Sequence, residues 1–104
     1  MAAYAKLYDP THEHENDPLA WPLKATVDEL QGLPPHLIVV QELDPIKEEG
    51  IEYYRKLSRA GVKTQCICEM GMVHSGSWAF AGYAKLADVF HHSLTSIKSF
   101  IEGL

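Results

Sequence analysis

The stretch Leu37-Ile38-Val39-Val40-Gln41-Glu42-Leu43-Asp44-Pro45-Ile46-Lys47-Glu48-Glu49-Gly50 decides how the rest of this 104-residue chain is read. Four apolar residues run without alternation between Pro34-Pro35 and Gln41-Glu42. An uninterrupted run of that length fits a strand covered on both faces, the situation of a parallel sheet. Asp44-Pro45 then carries helix-start chemistry: Asp as cap, Pro at the first helical position, and Glu48 and Glu49 near the positive end of the helix dipole. Ile46, Gly50, Tyr53, Tyr54 and Leu57 recur at helical spacing, and Gly61 is a natural stop.

Working outward, residues 62–70 return to strand character. Leu86, Val89, Phe90, Leu94, Ile97, Ile101 and Leu104 form the apolar stripe of a C-terminal helix. Upstream, residues 1–35 read as an irregular arm, broken by Asp9-Pro10, Asp17-Pro18 and Trp21-Pro22, because X-Pro steps disfavour helix. Thr26 to Leu30 can make one helical turn, with Thr26 as cap and Glu29 three residues on. Residues 36–104 then have the order strand, helix, strand, loop, helix. A crossover helix between two strands implies a parallel pair. Two such strands do not make a stable sheet alone, so the fold class is α/β with an incomplete sheet.

Composition narrows the functional classes. Hydrophobic residues at 46% and charged residues at 22% are ordinary globular values. The formal net charge of -5 weighs against nucleic-acid and anionic-membrane partners, which reward clustered Lys and Arg. No stretch reaches the ~18 uninterrupted apolar residues of a membrane span. The first residues lack the basic region and apolar run of a secretory signal, so a cytoplasmic location is expected. Cys66 and Cys68 share one face of a strand; a disulfide between such close neighbours is strained, and reduced core thiols are the expectation.

The chemistry lies at the strand ends. In open α/β sheets functional groups gather beyond the carboxyl ends of the strands. Asp44 follows the first strand and His74 the second, and adjacent strands lie ~4.8 Å apart. An acid that orients a histidine, with the histidine moving protons, is the second half of a nucleophilic triad. Taken singly, Asp44 is equally well a helix cap and His74 a loop residue. The pair at matching positions says more than either.

Gly32-Leu33-Pro34-Pro35, the strand, and Asp44-Pro45-Ile46-Lys47-Glu48-Glu49-Gly50 together resemble the hormone-sensitive-lipase-like carboxylesterase branch of the α/β-hydrolases. That family carries its triad aspartate in the DP step of a DPLRDEG segment, and Asp44 is the matching position. Tyr53 to Leu57, Ala60-Gly61-Val62 and Asn16 to Pro22 are similar to flanking parts of the family pattern. His74 falls at the family's catalytic histidine, although Ser75 stands where Gly or Ala is usual. The family's G-x-S-x-G elbow and H-G-G-G oxyanion loop do not occur in these 104 residues. Ser75 and Ser77 are the serines nearest His74, and neither sits in such an elbow.

The resemblance implies the C-terminal portion of an esterase or lipase, with catalytic Asp44 and His74 and a small carboxylic ester as substrate of the complete enzyme. It implies no metal and no organic cofactor, and no activity for these residues alone. The partner would be the missing N-terminal part of the fold. The alternative is a catalytically silent module that self-associates or binds another chain through its exposed sheet edge. Among the remaining features, His12 and His14 invite a metal reading but lack a third ligand, so a solvated arm is expected. Of His91 and His92, one is expected to be exposed and the other beside the apolar stripe. Trp21 and Trp78 read as packing residues, and Glu69 as a solvated or orienting carboxylate.

Overall fold

The computed structural model describes residues 6–76 and 84–104, with side chains in the second range from Asp88 onward. Ser77 and Trp78 therefore lie outside the described residues, as does the side chain of Leu86. A short 3-10 turn at Pro22–Lys24 leads into α1, Val27–Leu30. Thr26 caps α1 as expected: its hydroxyl accepts from the Glu29 amide at 3.2 Å, and the Glu29 carboxylate accepts from the Thr26 amide at 3.2 Å. The chain continues through β1 (His36–Gln41), α2 (Lys47–Arg59), β2 (Thr64–Glu69) and α3 (Ala84–Glu102).

Strands β1 and β2 pair in parallel, from His36 opposite Thr64 to Gln41 opposite Glu69. Helix α2 packs on one face. Its approach is close because Gly50 has no side chain: a Cβ there would lie 2.7 Å from Val40 Cγ1 and 3.8 Å from Ile38 Cγ2. Gly61, at φ +80°, ends α2 with paired closing bonds, Val62 N–H to Leu57 C=O and Gly61 N–H to Ser58 C=O. The same turn brings Val62 beside Leu57. Those two residues form the core with Ala25 and Leu30, packed round by Ile38, Tyr53 and Ala60. The arm is fastened to this core by Lys56, whose ammonium donates to the carbonyls of Leu23 at 2.6 Å and Ala25 at 3.1 Å.

Several expectations are corrected in detail. Helix α2 starts at Lys47 rather than Pro45, because the Asp44 carboxylate accepts from the Ile46 amide at 3.0 Å and closes a turn first. In β1 only Val40 and Gln41 are buried, while Leu37, Ile38 and Val39 remain half-buried. Their outer face borders an open groove toward α3, lined by Val39, Ile67, Met70, Val89, His92 and Ser96. On α3, Leu94 and Ile101 are exposed and the most buried described side chain is Ser93, so the inward stripe is more polar than its spacing implied.

The thiols of Cys66 and Cys68 are free, and Cys68 is exposed rather than in the core. Burial raises the Cys66 thiol above its ordinary pKa, with the neighbouring Cys68 adding to the shift. The arm is more ordered than a solvated tail. Asp9 is buried and accepts from the His14 amide at 3.2 Å and the Trp21 indole at 3.4 Å. Trp21 packs edge-on against Tyr8 with ring centres 4.9 Å apart.

Leu57 is fully buried, so Leu57→Ala should lower unfolding free energy in urea by about 2–5 kcal/mol. Gly50→Val should cost about 1–3 kcal/mol despite leaving the helix sequence otherwise unchanged, because the new side chain meets Val40. A Gly50→Val protein as stable as the parent would contradict the close α2–β1 packing.

Candidate active site

The register brings the two strands to their carboxyl ends level, at Gln41 and Glu69. Beyond that point the two connections remain laced together. The Glu42 amide donates to Glu69 C=O at 3.0 Å and the Leu43 amide to Met72 C=O at 2.9 Å. The Gly71 amide donates to the Glu42 carboxylate at 2.8 Å, and the Ser75 amide to the Gln41 side-chain carbonyl at 3.3 Å. Met72 is buried and anchors the second connection, while Gly71 at φ +72° lets it turn.

These bonds place Asp44 and His74 in contact. Asp44 Oδ2 lies 2.5 Å from His74 Nδ1. The two side chains differ sharply in exposure, 6% for Asp44 and 62% for His74. Asp44 is ionised at neutral pH: the Ile46 amide chiefly, and the His74 ring in addition, hold its carboxyl below the ordinary value against the opposing effect of burial. Facing a carboxylate, Nδ1 carries the proton and donates, leaving the Nε2 lone pair outward. An imidazole held in that tautomer is equipped to take a proton from a nucleophile and return it to a leaving group.

Both residues singled out from the sequence are thus brought together. Of their supports, the sequence reads Glu69 as a solvated or orienting carboxylate, while Gln41 and Ser93 were missed. Glu69 is buried, not solvated, and bonds to the Gln41 amide at 2.9 Å and to the Ser93 hydroxyl. The available signal was an amide and a carboxylate that close the apolar runs Leu37–Val40 and Cys66–Cys68 at matching ends. Ser75 contributes its backbone amide here and stands at φ +54°. Both His91 and His92 are exposed, His92 at the rim of the groove. Among the described residues, no three His, Cys, Asp or Glu side chains are gathered to hold a metal ion.

The fold around this acid–histidine pair has known relatives: residues 1–77 match the family model described as alpha/beta hydrolase fold. The chain belongs to that family. Within it, the likeness is to the hormone-sensitive-lipase-like carboxylesterases. Brefeldin A esterase, a bacterial homologue of human hormone sensitive lipase, is 41% identical with a TM-score of 0.83, over 91% of this chain and 26% of that one. Esterase Est22 is 39% identical with a TM-score of 0.84, over 96% of this chain and 29% of its own. A protein of Acanthamoeba polyphaga mimivirus named as an alpha/beta hydrolase is 34% identical over 74 residues. The chain spans 21% of that relative's length, and between about a quarter and a third of the solved esterases.

The lowered Asp44 pKa fixes a pH dependence. A carboxyl whose pKa is depressed by folding adds stability above its ordinary value of 3.8, and loses it as the pH falls through the folded-state pKa. The stability difference between wild type and Asp44→Asn, read by urea denaturation across a pH series, should therefore shrink as the solution is taken from neutral to below 3.8. A difference independent of pH would contradict the ionised, hydrogen-bonded Asp44.

Proposed function

We propose that this chain supplies the acid and histidine of a serine carboxylic ester hydrolase whose nucleophile and oxyanion donors reside in another part of the α/β-hydrolase fold. The observation that carries this reading is the 2.5 Å contact between Asp44 and His74 at the ends of paired parallel strands. Residues 36–104 are the catalytic-site portion and residues 1–35 the connection leading into it. The substrate class is a small carboxylic ester, in keeping with the esterases that the chain resembles. No helix among the described residues is long and apolar enough to cross a membrane. Free thiols at Cys66 and Cys68 suit a reducing, cytoplasmic setting.

In the complete enzyme, His74 Nε2 takes the serine hydroxyl proton as the oxygen attacks the ester carbonyl carbon. The tetrahedral intermediate then collapses, breaking the bond to the alcohol oxygen, which leaves with the proton from His74. Water repeats the sequence on the acyl-serine, releasing the carboxylic acid. Asp44 holds the ring in the required tautomer and stabilises its positive charge between these transfers. Without the serine and oxyanion donors the largest contributions to rate are missing.

The test is an assay on a short p-nitrophenyl ester, with the 104-residue chain alone and joined to the preceding three-quarters of a related esterase. The chain alone should show no turnover above buffer. The joined enzyme should hydrolyse the ester and lose about 10⁴-fold or more in kcat on His74→Ala. Turnover by the chain alone that vanished on His74→Ala would overturn the placement of the nucleophile elsewhere. A joined enzyme indifferent to His74→Ala would overturn the catalytic assignment.

A second reading draws on the sheet itself. Among the described residues β1 is paired only with β2, and Leu37, Ile38 and Val39 are half-exposed. A silent module could cover this edge and face by self-association. Light scattering separates the cases, because a stable monomer at high concentration excludes self-association.

A further inference from the structure

Gln41, Glu69 and Ser93 are buried polar residues that form one continuous hydrogen-bonded chain. Ser93 on α3 donates its hydroxyl to Glu69 Oε2, and Gln41 Nε2 donates to Glu69 Oε1 at 2.9 Å. The Gln41 side-chain carbonyl then accepts the Ser75 amide at 3.3 Å. The chain therefore runs from α3 through β2 and β1 and ends on the residue that follows His74.

Ser75 needs such a hold. Its φ of +54° is a left-handed conformation that is unfavourable for a residue with a side chain. Buried polar groups are tolerable only when fully bonded, and an apolar set of similar volume would fill this space without that demand. What the polar chain adds is direction. A carboxylate and a primary amide each offer two distinct bonding positions, so each fixes a neighbour on either side.

We propose that Gln41 and Glu69 are positioning residues for His74. Glu69 fixes the Gln41 amide, and Gln41 fixes the Ser75 amide, which holds the His74 backbone so that Nδ1 meets Asp44. On this reading both act through His74. The proposal rests on reading His74 and Asp44 as the base and its orienting acid.

The tautomer of His74 reports this directly, measured from the ¹⁵N shifts of the imidazole in the 104-residue chain. Wild type should favour the Nδ1–H form, and Asp44→Asn should abolish that preference. Failure of Asp44→Asn to do so would overturn both the acid–histidine reading and the positioning role. Gln41→Leu should weaken the preference about fivefold, the worth of one ordinary hydrogen bond. Glu69→Leu should act in the same direction, and Glu69→Gln, which can still bond both neighbours, should restore the wild-type ratio. Thr26→Ala, a cap loss in the arm, lowers stability and should leave the tautomer unchanged.

A folded Gln41→Leu chain with the wild-type tautomer ratio would overturn the positioning role alone. Amide exchange in the unsubstituted chain tests the same link without any substitution. Protection of the Ser75 amide at least about fivefold beyond a freely exposed amide supports it, and exchange at the free rate overturns it.

Discussion

The parallel ladder between β1 and β2 is the constraint on which the rest of the structure depends. Its register sets Gln41 beside Glu69, and every contact of the candidate site is counted from those two ends. A two-residue slip would keep each side chain on its own face but shift one strand end by ~6.6 Å relative to the other. Asp44 and His74 would then be too far apart to bond. Register is specified here by both faces: Gly50 admits Ile38 and Val40 against α2, while Gln41 and Glu69 recognise each other on the opposite side.

Helix α2 connects this ladder to the arm. Its closing turn at Gly61 returns the chain to the sheet and places Val62 against Leu57. Lys56, one residue before Leu57, reaches the arm carbonyls. The hydrophobic core is small, and it lies on the α2 side. The α3 side is different in kind, with an open groove and a buried polar chain in place of a continuous apolar layer.

Much of this was legible in the sequence where the determinants are local. The apolar run at Leu37–Val40 with its proline and glycine punctuation marked β1, α2 and the return to β2. The Thr26–Glu29 reciprocal cap formed as its three-residue spacing requires. Asp44 and His74 were legible because strand-end geometry and the family pattern agree on them. The remainder depended on choices between partners. Asp44 has two oxygens, and dividing them between Ile46 and His74 moved the helix start to Lys47. Glu69 is buried because its partner Gln41 lies 28 residues earlier, a distance over which local polarity gives no guidance. Ser93 faces inward for the same reason, while Leu94, which the helical spacing favoured, faces solvent.

The unequal exposure of the acid and the histidine has a consequence for how such a site becomes reactive. Asp44 is already shielded, whereas the outer side of the His74 ring faces water. Water weakens charge interactions about fourfold relative to a protein surface, where the effective dielectric constant is about 20 rather than 80. The orientation of the ring is therefore built into these residues, but its electrostatic strength is not. On the proposed reading of His74 as the base, a further part of the fold that covered the ring would exclude water as it arrived, and assembly and activation would then be one event.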